Sequence, residues 1–161
     1  MKCVKVKYHD ENLPKLEKIG GNKSNWIDIR ACKVSVNGID MTTGKNWTNG
    51  VEYKPGDVVM IDFGFAAELP QGYEAYIVPR SSTFKNYGLI QTNHFGVIDE
   101  SYCGNDDTYK GMYYALREGK IHQYERVAQF RIQEKMPDVQ FTEVDDLGNE
   151  NRGSYGSTGV K

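Results

Sequence analysis

The feature that most constrains this fold is a succession of short apolar runs separated by turn residues, with hardly any helical periodicity. The first run, residues 3–8, alternates apolar side chains with lysines, which is typical of a strand with one buried face. Gly, Pro and Asn residues stand between the runs, as they do in turns. Further strand candidates are residues 25–31, 58–65, 73–78, 89–90, 96–98, 112–116, 126–132 and 139–144. Many short strands predict an all-β barrel or sandwich.

One short helix is predicted after the run that ends near Pro79. Ser81 or Ser82 would cap its N-terminus, and Gly88 would end it. Phe84 and Tyr87 are three residues apart, as residues on one helical face are.

The length of 161 residues suits one compact domain. Two stretches differ in composition from the rest. Residues 35–54 are polar and rich in Asn and Gly, which predicts a hairpin inserted into the scaffold. Residues 145–161 form a Gly-rich tail, and disorder is the simplest interpretation of its composition. We therefore divide the chain into a β-barrel domain, residues 1–144, with a 35–54 insert, and a flexible arm, residues 145–161.

Composition and motifs argue against several classes of function. The net charge of −2 provides no basic field for a nucleic acid polymer. The N-terminus lacks the apolar core of a secretion signal, and no apolar run suits a membrane helix. Three widely spaced cysteines and three histidines form no zinc pattern, so a reducing cytoplasm is the expected compartment. GxSxG and P-loop signatures are also missing from the sequence.

Two segments combine charge with small polar residues. Asp28 lies within an apolar run, where a carboxylate is costly unless it is paired or faces a polar site. A strand edge facing solvent is the simpler interpretation of Asp28 alone. Arg80, Ser81 and Ser82 stand at the expected helix start, where hydroxyls, N–H groups and a guanidinium can bind an anion. An ordinary helix cap would also account for these serines.

Two further segments combine residues that could act on water or bind phosphates. Asp99 directly follows Val97 and Ile98, and a carboxylate beside an apolar wall could take a proton from water. An Asx turn is the structural alternative. In the tail, glycines would let the backbone approach phosphates, while arginine, hydroxyls and an aromatic ring supply charge, donors and stacking. These tail residues are Arg152, Tyr155, Gly156, Ser157 and Thr158.

Together, in this order, the segments resemble the five ordered motifs of the trimeric all-β dUTPases, especially the branch of phages and Gram-positive bacteria. The motifs read IDIRA, PRSS, NHFGVIDESYCG, ERVAQ and RGSYGSTG, and they span the chain from Trp26 to the C-terminus. The resemblance implies a distorted jelly-roll β-barrel with one short helix. It also implies a homotrimer with a swapped C-terminal arm and with sites between subunits.

The resemblance further implies hydrolysis of dUTP to dUMP and pyrophosphate by water attack at the α-phosphorus. This reaction limits uracil in DNA and supplies dUMP for thymidylate synthesis. Asp99 would be the general base, and Mg²⁺ would be bound mainly by the triphosphate, with Asp28 near the water shell of the metal. The α- and β-phosphates would be held by Arg80, Ser81, Ser82 and Gln129. The β- and γ-phosphates would be clamped by Arg152, Ser157 and Thr158.

Selectivity would depend on the third and fifth motifs. By resemblance, Tyr102 packs under the deoxyribose and leaves no room for a 2′-hydroxyl. Uracil would be read largely through backbone groups of the hairpin that carries Asn93, Gly96, Val97 and Ile98. Tyr155, followed by Gly156, would be the lid that stacks on the base, and Tyr109 is a rival for that role.

Two alternatives stay open at this point. A related dCTP deaminase would share the fold, but it needs an additional acid in the pocket, and we identify none in the sequence. A regulatory protein could retain the fold, or a catalytically competent dUTPase could add a regulatory role, by recruiting a protein partner through residues 35–54.

Overall fold

The computed structural model describes residues 2–18 and 23–153. Within these ranges the chain forms short strands and a single helix. In chain order they are β1 Lys5–Tyr8, β2 Ile27–Arg30, β3 Lys33–Val36, β4 Ile39–Asp40, β5 Val51–Tyr53, β6 Val58–Glu68, β7 Tyr73–Pro79, α1 Thr83–Tyr87, β8 Leu89–Gln91, β9 Gly96–Ile98, β10 Thr108–Ala115, β11 Gly119–Ile121 and β12 Arg126–Glu134. The predictions of an all-β chain and of one short helix are confirmed.

The strands form two larger sheets and one small one. The first sheet has the order β4-β3-β6-β10-β8, with β1 also paired to β6, and the second has the order β2-β12-β7-β9. Strands β11 and β5 form the third. The core lies between the two larger sheets. In the core, the Phe65 ring lies 4.7 Å from that of Tyr109 and 5.8 Å from that of Phe130. These aromatic contacts join the first sheet to the second.

Strand β6 changes partner at Gly64. Before this residue it pairs with β3, and after it with β1. Gly64 has a φ of 71°, in the left-handed region that glycine tolerates. A Cβ at this position would lie 2.5 Å from the Cys32 sulfur, so both conformation and space require glycine.

The helix differs from its predicted N-terminus. Ser82 stands at the cap position, but its side chain makes no capping hydrogen bond. Instead, the Thr83 hydroxyl accepts a hydrogen bond from the Arg80 N–H and donates one to the Val127 carbonyl. A bond to a neighbouring strand thus replaces the local cap. Gly88 ends the helix in the left-handed conformation as predicted, and no helix in the described ranges is long and apolar enough to cross a membrane.

The predicted strand over residues 139–144 is wrong. These residues form no strand, and Val139, Phe141 and Val144 are exposed, Phe141 by 92%. Their spacing suits a strand, but a strand needs a hydrogen-bonding neighbour, and the segment pairs with no described strand of its own chain.

The stretch 35–54 combines a surface hairpin with a part of the core. Strands β3 and β4 form the hairpin around Asn37-Gly38, where both residues have positive φ. The second half is anchored by the buried side chains of Trp47, Val51 and Tyr53. Only the hairpin and the adjoining polar turns lie at the surface, so the stretch is not added to the barrel as one separate insert.

Candidate active site

The outward face of the second sheet carries the polar residues of the first, second and fourth motifs. Gln129 on β12 is the register partner of both Asp28 on β2 and Val78 on β7. Cross-strand partners point to the same side of a sheet, so these side chains are neighbours. The Gln129 side-chain amide donates to the Pro79 carbonyl at 3.1 Å, which fixes it beside the end of β7.

Asp28 is held between two guanidinium groups. Its Oδ1 lies 3.0 Å from Arg80 Nε, and its Oδ2 lies 3.4 Å from Arg126 Nη1. The Asp28 side chain is 11% exposed, whereas those of Arg80 and Arg126 are 25% and 40% exposed. Two cations on one carboxylate leave a net positive group at the surface. Since arginine binds phosphate with two parallel hydrogen bonds, this group suits a phosphate chain.

Arg126 is a residue that sequence reasoning missed. Simple strand alternation would place positions 126 and 129 on opposite faces. A register shift between Arg126 and Ala128 adds one residue to β12, so that Arg126 and Gln129 face the same side. The sequence does show an arginine in ERVAQ. The face of the sheet on which its side chain lies, however, depends on a bulge that strand alternation does not reveal.

Ser81 and Ser82 occupy the corner between β7 and α1. Ser81 is exposed, and Ser82 Oγ accepts a hydrogen bond from Arg80 Nη1 at 3.4 Å. Because the corner is tied to β12 through Thr83, the guanidinium and both hydroxyls stay at one edge of the sheet. The structure thus brings together Asp28, Arg80, Ser82 and Gln129, with Ser81 beside them.

The third motif forms a separate cleft. Asp99 follows β9 and is exposed, and its carbonyl accepts a hydrogen bond from the Tyr102 N–H at 3.0 Å. The cleft is lined by Val97, Ile98, Asp99, Tyr102, Thr108 and Lys110. Asp99 thus has apolar neighbours on β9. In the preceding turn, Asn93 is exposed, and Gly96 packs close to Ile77 on β7.

Within one chain, this cleft lies far from the arginine cluster, which consists of Asp28, Arg80 and Arg126. Ile98 pairs with Ala75 near the start of β7, whereas Arg80 directly follows the last residue of that strand. Asp99 therefore lies level with Glu74, and a rise of about 3.3 Å per residue puts it about 20 Å from Arg80. That gap exceeds the length of a triphosphate. A complete site requires residues from another chain or a large rearrangement of this sheet.

The remaining predicted residues belong to the tail. Arg152 is exposed near the end of the described chain, while Tyr155, Gly156, Ser157 and Thr158 lie outside the described residues. Tyr109 does not fit the role of a base stacker. It is 0% exposed and packs between Phe65 and Phe130, so no ligand reaches its ring.

Comparisons with known proteins identify the class of protein. The family model described as dUTPase matches residues 47–159. The SPbeta prophage-derived deoxyuridine 5′-triphosphate nucleotidohydrolase of Bacillus subtilis is 46% identical over 158 residues, covering 98% of this chain and 99% of that protein. The deoxyuridine 5′-triphosphate nucleotidohydrolase of Escherichia phage T5 is 32% identical over 162 residues, with 98% and 99% covered.

Solved structures agree with this at the level of the fold. A mutant of the Staphylococcus bacteriophage 80alpha dUTPase with dUpNHpp has a TM-score of 0.72 and 18% identity, with 99% of this chain and 100% of that chain covered. The Streptococcus mutans dUTPase has a TM-score of 0.65 and 20% identity, with 85% and 98% covered. This chain belongs to the dUTPase family. Both the predicted family and the predicted dUTPase-like fold class are confirmed.

Proposed function

We propose that this protein, as a member of the dUTPase family, hydrolyses dUTP to dUMP and pyrophosphate. The observation that carries the proposal is the near full-length identity to a deoxyuridine 5′-triphosphate nucleotidohydrolase. The positive cluster around Asp28 and the carboxylate-bearing cleft at Asp99 supply the two functions that the reaction needs. One holds a phosphate chain, and the other activates water. The expected compartment is the cytoplasm, where the nucleotide substrate is found.

A pyrophosphate-release assay with dUTP, dTTP, dCTP and UTP tests this function. We expect strong preference for dUTP in the presence of Mg²⁺. Equal turnover of dTTP or UTP would refute the proposal. Ammonia release from dCTP would replace it with a deaminase.

In the proposed mechanism, Asp99 orients the attacking water and accepts its proton. Its exposure in a single chain and its neighbours Val97 and Ile98 leave one side of the carboxylate open and the other apolar. Arg80 and Arg126 stabilise the charge that builds up on the phosphates as pyrophosphate leaves. Ser81, Ser82 and Gln129 add hydrogen bonds to the α- and β-phosphates.

The donors present fit Mg²⁺ that is bound mainly through the triphosphate. In the described part of the chain, no group of three or more His, Cys, Asp or Glu side chains is placed to hold a metal. Asp28 is the carboxylate of the arginine cluster, and it would accept hydrogen bonds from water on the ion. The metal would neutralise phosphate charge when bound.

The homotrimer belongs to the same proposal. The separation of Asp99 from Arg80 along β7 supports a site that takes these residues from two chains. The outward face of the second sheet also exposes the apolar side chains of Phe95 and Val97, which suit contact with another subunit.

Mixing two inactive variants tests the shared site. Asp99→Asn and Arg80→Ala chains, refolded together in equal amounts, should regain activity in roughly a quarter of their sites, because random assembly pairs intact halves at that frequency. The control is the double variant Asp99→Asn/Arg80→Ala mixed with either single variant, which should regain nothing. Mixed single variants that stay as inactive as each alone would contradict the shared site.

We further propose the division into a barrel, residues 1–144, and an arm, residues 145–161. The exposed Val139 and Phe141 support a chain end that packs on a neighbouring subunit. Arg152 and the tail residues after it would close over the site of that neighbour.

A protein partner would contact the exposed hairpin residues Ile39 and Asp40. A pull-down that compares the full chain with one lacking the exposed hairpin tests this second role.

A further inference from the structure

The phenol of Tyr102 is held by a chain of hydrogen bonds within the first sheet. Its hydroxyl donates to the Thr108 carbonyl at 3.1 Å, and the Thr108 hydroxyl donates to Asp62 Oδ2 at 2.7 Å. Thr108 is buried, with 7% of its surface exposed. A buried hydroxyl bonded to a carboxylate has a single favourable orientation. Thr108, whose carbonyl accepts the hydrogen bond from the phenol, is thus tied through its own side chain to strand β6.

The bend of β6 brings Asp62 within reach of Thr108. Lys110 is the register partner of Asp62, but Thr108 is the register partner of Ala66. The register therefore shifts at this point, where Gly64 has its left-handed conformation. Asp62 Oδ1 accepts the Gly64 N–H at 2.8 Å, so both oxygens of the carboxylate are engaged.

The loop between Tyr102 and Thr108 is closed on itself. The Gly104 N–H donates to Asp107 Oδ2 at 2.7 Å, and the Asp107 N–H donates to the Gly104 carbonyl at 3.2 Å. The bond from Tyr102 to Thr108 spans this loop. Burial, followed by the charges of Asp107 and Asp62, raises the pKa of the Tyr102 phenol, so the hydroxyl stays a donor at neutral pH.

We propose that Asp62 and Thr108 are positioning residues that set sugar selectivity by holding Tyr102 against the wall of the Asp99 cleft. This inference rests on the proposed function and on the role that the resemblance to the dUTPases implies for Tyr102, which is to leave no room for a 2′-hydroxyl. Neither residue needs to touch the substrate's reacting atoms, because both act through the direction of the Tyr102 ring. Loosening the chain of hydrogen bonds frees the ring and admits ribonucleotides.

The test is the ratio of kcat/KM for dUTP to that for UTP in Thr108→Val. We expect this ratio to fall roughly tenfold, as the loss of one buried hydrogen bond implies. The change should come mainly from easier use of UTP, with a smaller change in kcat/KM for dUTP. Thr108→Ser keeps the hydroxyl and should restore the ratio. Asp62→Asn should lower it in the same direction as Thr108→Val.

Thr42→Val is the matched control. Thr42 is also a buried threonine whose hydroxyl donates to an aspartate, Asp40, but it lies in the hairpin of β3 and β4. The Thr42→Val variant should have a lower melting temperature but an unchanged ratio of kcat/KM for dUTP to that for UTP. An unchanged ratio in Thr108→Val, with stability lost as in Thr42→Val, would overturn the proposal.

NMR of ring-labelled tyrosine separates this inference from the proposed function. The Tyr102 signal, assigned by its loss in Tyr102→Phe, should move in Thr108→Val and return in Thr108→Ser. A signal that stays in place overturns the positioning role even if dUTP hydrolysis stands. A wild-type protein without preference for dUTP over UTP refutes the proposed function instead.

Discussion

At the scale of single residues, the site depends on how two carboxylates are surrounded. Asp28 is nearly covered and bound by Arg80 and Arg126, so in the proposed mechanism it holds these two guanidinium groups in place. Asp99 is exposed beside apolar residues, and the proposed mechanism gives the role of base to Asp99 and not to Asp28. The two carboxylates would thus have different roles because their neighbours differ.

Replacing Asp99 by Asn should retain nucleotide binding and nearly abolish turnover, because the amide keeps the shape but cannot accept a proton. A general base contributes about 10²–10⁴-fold to a rate, so kcat should fall within that range. Pyrophosphate release measures turnover, and calorimetry with a non-hydrolysable dUTP analogue measures binding. Near-normal turnover would remove Asp99 from the role of base.

Cys32 predicts a loss of stability at alkaline pH. Burial raises the pKa of its thiol from 9.0 to about 11, with the charges of Asp10 and Asp62 adding to the effect. Below pH 9 the thiol is protonated in both the folded and the unfolded chain, so Cys32 adds no pH dependence to the free energy of unfolding. Between pH 9 and 11 the unfolded chain loses the proton more readily, and the folded state loses stability.

Cys32→Ala should therefore lose about 2 kcal/mol less stability than the wild type between pH 7.5 and 10.5. Urea unfolding at both pH values measures the difference, and the comparison between them cancels the cost of the cavity at neutral pH. Cys103→Ala is the control, because Cys103 is exposed. Equal alkaline losses in wild type and Cys32→Ala would contradict the prediction.

At the scale of elements, two irregularities in regular strands shape the arginine cluster and the surroundings of the Asp99 cleft. The bulge in β12 turns Arg126 to the side of Asp28. The bend at Gly64 lets β6 pair with β3 before this residue and with β1 after it. It also brings Asp62 within hydrogen-bonding distance of the Thr108 hydroxyl. Departures from the ladder, rather than the ladder itself, therefore direct the side chains that matter for the site.

Gly64→Ala should destabilise the protein strongly, because it combines a positive φ with a Cβ 2.5 Å from the Cys32 sulfur. We expect a loss of about 2–4 kcal/mol in the free energy of unfolding. Gly38→Ala is the matched control, with a φ of 81° and open space around the added carbon. It should cost about 1 kcal/mol, since only the conformation is unfavourable. Equal losses in the two variants would show that packing at Gly64 is unimportant.

At the scale of the whole molecule, the two groups of residues assigned to the proposed site lie far apart within one chain. The arginine cluster and the Asp99 cleft stand at opposite ends of β7, and apolar side chains beyond β12 remain uncovered. The uncovered Phe141 and the separated half-sites are both explained if neighbouring chains supply what each chain lacks.

Truncation before Asn151 should damage catalysis far more than folding. The residues removed include Arg152 and the tail, and Arg152 is exposed in the single chain. We expect a melting temperature within a few degrees of the full chain and a fall in kcat/KM of at least about 10²-fold, the scale of losing transition-state contacts to phosphate. Retained activity with a large fall in melting temperature would show that the segment serves the fold instead.

The sequence by itself determined the elements whose signals are local. Alternation identified β1, Gly88 ended the helix, and the ordered motifs identified the family. Such signals depend on residues a few positions apart, which the sequence displays directly. The same local reasoning failed for residues 139–144, because a strand needs a partner strand and the described chain provides none there. It also failed for the serine cap, because the Thr83 hydroxyl bonds to the distant Val127 carbonyl instead.

Only the tertiary structure decided which functional residues meet. It turned Arg126 toward Asp28 through a bulge, buried Tyr109 in the core, and separated Asp99 from Arg80 along β7. The physical reason is that register and strand order arise from hydrogen bonds between segments far apart in sequence, and a shift of one residue reverses the face on which a side chain lies.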